Sequence, residues 1–588
     1  MYYKTHNLCE LSKKNIGERV TLTGWVDTRR DHGGVIFIDL RDRKGITQVV
    51  FNPENNEEVH QRAHKLRSEY VIKIKGIVSE RDKMNINSKM KTGEIEIFVD
   101  DLEVLNESQT LPFEISDEIS VNENLRLKYR YLDIRRKKMY NNLLKRSKML
   151  KEIRDYLDIN EFLDIDTPIL TKSTPEGARD FLTPSRLNKG EFYALPQSPQ
   201  LFKQIMMISG IERYYQIAKC FRDEDLRADR QPEFTQVDIE MSFVTDEEIM
   251  DMMEELAKKV TEKVIGKKID YKFEKITYEE AMNKYGSDKP DLRFDLELSE
   301  LTDIAKECGF KVFRTVAEKG GLVRGINGKG AAKFSRKYLD DLTKYVGVYG
   351  AKGLAWIRIN EDGTYTSPIT KFFSEDEIES IVKRMNGESG DILFFVADRA
   401  KVVYDSLGAL RLKLGKDLGL IDEEEYKFGW VVDFPLLEYS EEEKRYKAQH
   451  HPFTAIKEED IDLLEKSPEK VRTVSYDMVL NGHEIGGGSL RIHQGEIQNK
   501  IFNLLGLTQE EADEKFGFFL EAFKYGAPPH GGLAFGLDRF LMVLLNEKSI
   551  REVIPFPKTQ KGQCLMTEAP SRIELTQLRE LNLKEIKK

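Results

Sequence analysis

Cysteine is scarce in this sequence of 588 residues, and the four that occur lie far apart, at Cys9, Cys220, Cys308 and Cys564. No two of them form a CxxC pair, so the sequence predicts neither a zinc site nor a disulfide framework. No apolar run approaches the ~20 residues that span a bilayer, and the opening MYYKTHNLCE has no signal-like apolar stretch. We therefore expect a protein of the reducing cytoplasm with no membrane role.

The sequence also lacks a positive net charge, because 102 acidic residues outnumber 92 basic ones and the formal charge is −10. Proteins that bind nucleic acid neutralise phosphates with lysine and arginine, so this balance at first argues against such a partner. Net charge averages over faces, however, and two local runs are basic, at 126–138 and 29–44. Taken alone, either run is more typical of solvated helix and loop surface than of a binding site.

The first hundred or so residues are typical of a small closed barrel. Five short β-rich runs alternate with polar or glycine turns, at 19–25, 35–40, 46–51, 70–78 and 94–99. An oligonucleotide-binding barrel has this strand count and binds across one face and two loops. On such a barrel Phe37 would stack on a base and Arg30 would contact phosphate, although a strand phenylalanine is more often part of the core.

At 588 residues the whole chain is too long for one core, and roughly three to five units are expected, the barrel included. The spacing at 137–160 predicts an amphipathic helix, and FLDIDTPIL at 162–170 predicts a strand stopped by Pro168. Glycines crowd at 320–330, in a stretch with few candidate binding residues that we interpret as an insertion. The predicted architecture is multidomain α+β, with a barrel at 1–106, a hinge at 107–140, a main domain from 141–286 and 425–588, and an inserted α+β domain at 287–424.

Three strings in chain order carry the strongest functional signal. They are FLDIDTPIL at 162–170, FRDED followed by PEFTQVD within 221–238, and GGLAFGLDRF at 531–540. A charged hairpin is usually solvated surface, and a lone glycine-rich string is weak evidence. Together and in this order, the strings resemble motifs 1, 2 and 3 of class II aminoacyl-tRNA synthetases.

Further strings narrow the resemblance to bacterial aspartyl-tRNA synthetases. They are TPEGARDF (174–181), QSPQLFKQ (197–204), HHPFT (450–454) and GHEIGGGSLRIH (482–493). The barrel matches the anticodon-binding domain of that family, and SDKPDLRF (287–294) resembles the start of its bacterial insertion. The resemblance covers nearly the whole chain. It implies an antiparallel-sheet catalytic domain and a homodimer built on motif 1.

The resemblance implies a ligase that activates L-aspartate with ATP, releases pyrophosphate, and transfers aspartate from the adenylate to the 3' end of tRNA(Asp). The attacking α-carboxylate is already an anion, so the site must supply positive charge and alignment rather than a general base. Guanidinium groups suit this role, because they hold carboxylate and phosphate oxygens bidentately. By family correspondence the catalytic residues are Arg222, at the aspartate carboxylate and α-phosphate, and Arg539, at the γ-phosphate.

The remaining site residues are also implied by the resemblance. The ATP site would comprise Arg222, Asp223, Glu224, Gln231, Glu484, Gly536, Leu537, Asp538 and Arg539. The aspartate site would comprise Glu176, Ser198, Gln200, Lys203, Arg222, Asp238, His450 and Arg491. In it, Arg491 and Lys203 face the side-chain carboxylate of the substrate, and Asp238 balances Lys203. Asp477 and Glu484 would bind Mg²⁺, which prefers oxygen ligands. Without the family, two such acids are more often surface, and His450 with His451 more often a loop pair.

Contacts with tRNA follow from the same correspondence. The anticodon would contact Arg30, His32, Phe37, Gln48 and Glu96, and the acceptor end would contact the region of Arg227 and Arg230. Position 32 is histidine, where strictly discriminating bacterial members usually carry leucine. Members with histidine there often aspartylate tRNA(Asn) as well, so two interpretations stay open: relaxed tRNA selection or a neutral loop substitution.

Two other functions remain as alternatives. Asparaginyl- and lysyl-tRNA synthetases share the barrel and the three motifs, but the pair Lys203 and Arg491 and the bacterial insertion argue against both. A non-catalytic tRNA-binding relative would keep the folds and lose the phosphate arginines. Arg222, Glu224 and Arg539 are all present, which argues against that relative.

Overall fold

Alternation of buried and exposed side chains closes a five-stranded barrel in the first of two units, Met1–Ile115. The computed structural model describes residues 3–118, 120–174, 177–440 and 444–584. The barrel elements are β1 (Arg19–His32), β2 (Val35–Asp42), β3 (Gly45–Phe51), α1 (Glu57–Ala63), β4 (Val71–Glu80) and β5 (Ile95–Asn106). The strands pair in the order β1-β2-β3-β5-β4, and β4 returns to β1. The predicted five-stranded barrel is confirmed.

Strand β1 is longer than the run 19–25 that the sequence pattern predicts. Its register with β2 continues past a bulge after Val26 to the pair His32↔Val35. This second half is polar, so its alternation of hydrophobic residues is weak, but its backbone still pairs with β2. The side chains of Ile36 and Ile38 on β2 are fully buried, whereas Phe37 between them lies on the outer face.

The second unit, Ser116–Lys588, starts with helices and the first strands of a large sheet. Its elements up to the insertion are α2 (Glu123–Lys128), α3 (Arg130–Asp133), α4 (Lys137–Ile159), β6 (Leu163–Asp164), β7 (Leu182–Pro184), β8 (Phe192–Ala194), α5 (Gln200–Ile208), β9 (Arg213–Phe221), β10 (Glu233–Ser242), α6 (Asp246–Ile265), β11 (Glu274–Thr277) and α7 (Tyr278–Tyr285). The helix predicted at 137–160 is confirmed. The strand predicted at 162–170 is wrong beyond Leu163–Asp164, because only these two residues pair with β9 before the polar, proline-containing segment leaves the sheet edge.

The insertion contains a five-stranded antiparallel sheet with helices on both faces. Its elements are β12 (Leu298–Glu300), α8 (Thr302–Glu307), α9 (Lys311–Glu318), β13 (Leu322–Gly328), α10 (Arg336–Gly347), β14 (Ala355–Ile359), β15 (Tyr365–Thr366), α11 (Glu375–Arg384), β16 (Ile392–Asp398) and α12 (Ala400–Asp417). The strand order is β12-β13-β16-β14-β15. Neighbouring residues of β16 serve opposite cores: Phe394 packs with α10 and α12, and Phe395 with α8, α9 and α11.

After the insertion the chain completes the large sheet. The elements are β17 (Phe428–Val432), β18 (Leu437–Ser440), β19 (Arg445–Ala448), α13 (Leu463–Lys466), β20 (Ser475–Leu480), β21 (His483–Leu490), α14 (Gly495–Leu504), α15 (Gln509–Phe523), β22 (His530–Gly536), α16 (Leu537–Leu544) and α17 (Leu575–Glu580). The eight strands follow the order β11-β17-β20-β21-β22-β10-β9-β6, antiparallel except at the two edges. Helices α4, α6 and α16 pack on one face and bury the main core. In the described part of the chain, no helix combines the length and apolar character needed to cross a membrane.

The basic run at 126–138 is divided: its lysines are exposed, as is typical of such a run, but Arg130 and Arg136 are buried and Arg126 is half-buried. Asp133 is fully buried, and its carboxylate accepts hydrogen bonds from Arg126, Arg130 and Arg136. Arg126 also pairs with Glu552 at 2.7 Å. The guanidinium of Arg130 donates in addition to the main-chain oxygens of Arg551, Ile554 and Pro555. These bonds attach the segment before α4 to the segment that follows α16.

We predict that Asp133→Asn lowers the free energy of unfolding by about 3–5 kcal/mol, because it removes the central anion from a buried cluster of guanidinium groups. Urea unfolding followed by circular dichroism would measure the change. Asp155→Asn is the control, since Asp155 pairs with Lys151 on an exposed face of α4, where such pairs contribute only about 0.3–0.5 kcal/mol. Equal unfolding midpoints for the two variants would contradict the structural role of Asp133.

Candidate active site

A cavity of about 500 Å³ lies on the face of the large sheet opposite the main core, where β10, β21 and β22 run side by side. Phe234, Gln236 and Asp238 on β10 line the cavity, while Val237 and Ile239, on either side of Asp238, pack into the core. The register pairs Gln236 with Gly536 and Asp238 with Ala534. The predicted motif 2 and motif 3 segments, distant in sequence, therefore share one wall of the cavity.

The arginines on which the predicted function depends, Arg222, Arg491 and Arg539, line this one cavity. The other predicted substrate residues that line it are Ser198, Gln200, Lys203, Glu224, Gln231, Asp238, His450, Asp477, Glu484, Gly536 and Asp538. Two predicted ATP residues lie elsewhere: Asp223 is exposed and pairs with Arg179, and Leu537 is buried in the main core. Glu176, predicted at the substrate ammonium group, lies outside the described residues.

Two of the arginines that line the cavity, Arg222 and Arg539, are held only loosely. The guanidinium carbon of Arg222 lies 5.1 Å from the ring centroid of Phe234. Arg539 donates to the main-chain oxygen of Glu484 at 3.1 Å and lies 3.5 Å from the carboxylate of Asp229. Its Nε atom is buried without a hydrogen-bond partner among the described residues. Guanidinium groups with so few partners have N–H groups left to donate to carboxylate or phosphate oxygens of a ligand.

Gln231 is held by the main chain rather than directed at the cavity. Its amide accepts from the N–H of Lys558 at 2.7 Å and donates to the carbonyl of the same residue at 3.0 Å. Nearby, Arg230 pairs with Glu224 at 3.0 Å on the cavity wall, whereas Arg227 is exposed. Gln231 thus supports the shape of the cavity wall, and Glu224 and Arg230 add an ion pair to it.

Four buried charges, three of them on residues that line the cavity, form a compact cluster. Lys203 lies 3.1 Å from Asp238 and 3.5 Å from Glu240, and Arg491 binds Glu240 through Nε at 2.9 Å and Nη2 at 3.1 Å. Burial opposes ionisation of Glu240, but the charges of Arg491 and Lys203 outweigh it, so the pKa of Glu240 lies below its ordinary value. Burial raises the pKa of Asp238, although Lys203 opposes the shift.

Glu240 belongs to this cluster and was missed in the sequence interpretation. The signal was available, because Glu240 follows Asp238 by two residues on a predicted strand and must share its face. Gly532 on β22 is required opposite it, since a Cβ at that position would overlap the Glu240 carboxylate. Phe234 was also missed. Strand alternation places it on the cavity face as well, because it lies two residues before Gln236.

A third group of charges is acidic. Burial raises the pKa of Asp477 well above its ordinary value, and the neighbouring Glu484 and Asp288 add to the shift. Its Oδ1 atom is buried and has no hydrogen-bond partner among the described residues. A Cβ on Gly487 would come within 2.7 Å of that atom and 3.7 Å of Glu484 Oε1, so glycine keeps the space beside both carboxylates open.

Two carboxylates of this acidic group could hold a divalent cation whose other coordination positions are filled by a bound substrate. No group of three or more histidine, cysteine or acidic side chains in the described ranges could alone hold a metal ion. Mg²⁺ commonly uses one or two carboxylates together with substrate phosphates. Asp477 and Glu484 are such a pair. Asp288, from the SDKPDLRF string, also lines the cavity and was not predicted.

His450 lies beside the acidic group, and its imidazole is largely buried. Burial lowers its pKa to about 4, although Glu484 and Asp288 oppose the shift. Its Nδ1 atom is 4.0 Å from Asp477 Oδ1, and its ring packs edge-on against Phe434 with centroids 4.5 Å apart. The neighbouring His451 lies 2.7 Å from Arg491 Nη1 through Nε2. His450 is therefore a neutral wall residue and His451 a neighbour of the charge cluster.

On the barrel, the predicted anticodon residues lie together on the outer face. Arg30 on β1 pairs with Asp39 at 2.8 Å and donates to Gln48 at 3.4 Å, and Gln48 donates to Glu96 at 3.0 Å. Phe37 is half-buried among them, and the ring of His32 lies 6.2 Å from it. An aromatic ring within a row of polar side chains suits the binding of unstacked bases.

Comparisons with known proteins agree with both units. Residues 122–560 match the family described as tRNA synthetases class II (D, K and N), and residues 20–105 match the OB-fold nucleic acid binding domain. The chain is 60% identical to a protein named Aspartate--tRNA(Asp/Asn) ligase from Desulfatibacillum aliphaticivorans, over 99% of this chain and 97% of that protein. It is 57% identical to one of the same name from Bacillus cereus (strain ATCC 10987 / NRS 248), over 99% of both chains.

Solved structures share the fold at low sequence identity. An asparaginyl-tRNA synthetase from Pyrococcus horikoshii, complexed with asparaginyl-adenylate, has a TM-score of 0.60 at 19% identity, covering 95% of this chain and 99% of its own. An aspartyl tRNA synthetase from Entamoeba histolytica has a TM-score of 0.57 at 20% identity, covering 94% and 91%. At this identity the likeness concerns the fold alone.

We predict that Glu240→Gln lowers the free energy of unfolding by about 3–5 kcal/mol at neutral pH, because it leaves two buried cations with one anion. The folded pKa of Glu240 is depressed below the ordinary 4.5, so its contribution is complete above that pH and is lost as pH falls through the folded value. The stability of the variant should therefore depend less on pH in this acidic range. Urea unfolding at pH 7 and at pH 4 would test both statements.

The control for this substitution is Glu262→Gln, on an exposed position of α6. It should leave stability and its pH dependence unchanged. A loss in Glu240→Gln no larger than in the control would show that Glu240 does not balance the two cations.

Proposed function

The chain belongs to the class II tRNA synthetases for aspartate, lysine and asparagine and is an aspartate–tRNA ligase, and on this premise we propose how its cavity divides between substrates. The observation that carries the proposal is that Arg222, Arg491 and Arg539 line one cavity. Arg222 and Arg539 suit a polyphosphate, and Arg491 belongs to the buried charge cluster. The cavity would thus hold ATP at one end and aspartate at the other.

In the proposed reaction, the α-carboxylate of aspartate attacks the α-phosphate of ATP, and the bond to pyrophosphate breaks. The nucleophile is anionic, so the main barrier is repulsion between two negative groups. Arg222 would contact both groups and offset that repulsion, and Phe234 beside it would stack on the adenine ring. Arg539 would hold the γ-phosphate. The contribution of these groups is alignment and positive charge.

Selection of aspartate would rest on Lys203 and Arg491 acting on the side-chain carboxylate. Both cations are buried, and Asp238 and Glu240 hold them in place. Asparagine would present a neutral amide to these cations. A site with buried polar partners left unpaired can reject an analogue by about 10⁴–10⁵-fold. Ser198 and Gln200, on the same cavity, would contact the α-ammonium group.

Asp477 and Glu484 would hold Mg²⁺ together with phosphate oxygens of ATP. A bound magnesium ion neutralises developing charge on the phosphates. The unpaired buried Oδ1 of Asp477 supports this assignment, because a buried carboxylate needs a compensating cation. His450, which stays uncharged at neutral pH, would shield these carboxylates from water.

We predict that Arg222→Ala reduces aspartate-dependent ATP–pyrophosphate exchange by about 10²–10³-fold or more, because a positive group at the reacting phosphate is lost. Exchange measured with purified protein and labelled pyrophosphate would show the loss. Arg579→Ala, which removes an exposed arginine on α17, serves as the control and should exchange at the normal rate. Near-normal exchange by Arg222→Ala would refute the proposed role.

For tRNA, the chain would bind the anticodon of tRNA(Asp) on the barrel face and, in addition, that of tRNA(Asn). Two observations support the wider range: the relatives named above carry both tRNAs in their names, and position 32 is histidine. His32 ends β1 next to Phe37, the ring proposed to stack on a base. A side chain at this position can influence which neighbouring base is accepted.

We predict that the protein aspartylates purified tRNA(Asn) as well as tRNA(Asp), and that His32→Leu lowers charging of tRNA(Asn) by about tenfold with less effect on tRNA(Asp), the scale of one altered base contact. Charging of the two tRNAs with labelled aspartate measures the ratio. His6→Leu, elsewhere on the barrel, should leave the ratio unchanged. Absence of tRNA(Asn) charging even at high protein concentration would eliminate the wider range.

The chain would act as a homodimer in the cytoplasm. Several large apolar side chains are exposed near the sheet edge formed by β6, including Ile159, Leu163, Ile169, Leu170 and Leu182. An exposed strand edge beside apolar side chains is usually covered in a native assembly. A second copy that covers this edge would bury them.

A further inference from the structure

Asp538 lines the cavity next to Arg539, yet its carboxylate is fully engaged inside the protein. The residue is only 2% exposed. One carboxylate oxygen accepts a hydrogen bond from Arg146, and the other accepts the main-chain N–H of Thr235 at 2.8 Å. We propose that Asp538 is not a nucleotide ligand but a positioning residue that fixes the direction of Arg539.

The partners of Asp538 come from two other elements of the fold. Arg146 projects from α4 and also donates to the hydroxyl of Thr235 at 3.1 Å and to the main-chain oxygen of Val553 at 3.3 Å. Lys219 on β9 donates to the same hydroxyl at 3.1 Å. The pair Arg146 and Asp538 therefore joins α4, β10 and α16 at one buried point.

This junction connects, through their sequence neighbours, the two groups assigned to the two ends of ATP, Arg539 and Phe234. Asp538 is the neighbour of Arg539 in the first turn of α16, and Thr235 is the neighbour of Phe234 on β10. A carboxylate that bonds to Thr235 thus sets the distance from the adenine platform to the γ-phosphate arginine. Reacting groups that are misplaced by an ångström can lose about 10²-fold in rate.

Arg539 depends on this support because its own side chain has few anchors. Within the described ranges its guanidinium makes one hydrogen bond, to the carbonyl of Glu484, and a longer contact of 3.5 Å to Asp229. Its Nε has no partner in the described part of the chain. The orientation of the guanidinium therefore follows from the helix turn that Asp538 attaches to β10.

The inference rests on the proposed role of Arg539 at the γ-phosphate, and its test is Asp538→Asn in the exchange assay. We expect the KM for ATP to rise about tenfold or more, because the carboxylate that aims Arg539 no longer pairs with Arg146. The KM for aspartate should not change. Affinity for a sulfamoyl analogue of aspartyl-adenylate should also hold, since that analogue lacks β- and γ-phosphates.

Two further variants separate positioning from stability. Asp460→Asn is the matched control, because Asp460 likewise accepts a main-chain N–H and a guanidinium, both from Arg472, outside the cavity. It should lower stability and leave the KM for ATP unchanged. Arg146→Lys keeps the positive charge but cannot make all the bonds of Arg146. It should raise the KM for ATP in the same way, and it serves as the test if Asp538→Asn folds poorly.

Combining Asp538→Asn with Arg539→Ala shows whether Asp538 acts through Arg539 or independently of it. If Asp538 acts through Arg539, Asp538→Asn adds nothing to the KM for ATP in that background. An equal rise in both backgrounds, or weaker binding of the adenylate analogue, would overturn the inference. If Arg539→Ala alone leaves the KM for ATP unchanged, the proposed role of Arg539 fails, and the inference fails with it for that separate reason.

Discussion

The hydrogen-bonded pairing of β10 with β22 is the constraint on which the rest of the site depends. It runs from Gln236↔Gly536 to Ser242↔His530 and joins segments that the insertion separates along the chain. Because side chains alternate along a strand, one register decides which residues enter the core and which enter the cavity. A shift by one residue would exchange Asp238 and Glu240 for Val237 and Ile239.

Burial of charge is the second constraint, and the fold meets it by local neutralisation. An isolated buried ion is strongly unfavourable, so it must be paired and hydrogen-bonded. Asp133 with its arginines, Asp538 with Arg146, and Glu240 with Arg491 and Lys203 each follow this rule. The clusters also lie at junctions between elements, so each one fixes relative positions as well as charge.

Much of this could be predicted from the sequence, and the failures have identifiable causes. Periodicity located α4, β10 and the barrel strands, because buried side chains recur every two or 3.6 residues. It failed at 162–170, where Leu163–Asp164 alone pair with the sheet, and in the polar half of β1, where backbone pairing needs no hydrophobic pattern.

For the site, family motifs located the arginines, because motif strings preserve residue types at set spacing. They do not show which other residues each side chain contacts inside the protein. Leu537 and Asp538 were predicted as ATP residues with Arg539, but Leu537 belongs to the core and the Asp538 carboxylate is used internally. That distinction depends on contacts with Thr235 and Arg146, which are remote in sequence. The same limit applies to the basic run around Arg130, whose partner carbonyls follow α16.

Buried polar groups on the cavity differ in whether the protein itself supplies their hydrogen-bond partners. The carboxylate of Asp538 has a partner for each oxygen, whereas buried atoms of Asp238, Asp477 and Gln200 on the cavity have none among the described residues. A buried polar atom without a partner is unfavourable, and one that lines a cavity can be completed by a ligand. A cation at Asp477 and a polar substrate near Asp238 and Gln200 would supply what is missing. The free energy that these groups cost in the empty protein is then recovered on binding, which favours ligands of complementary charge over neutral analogues.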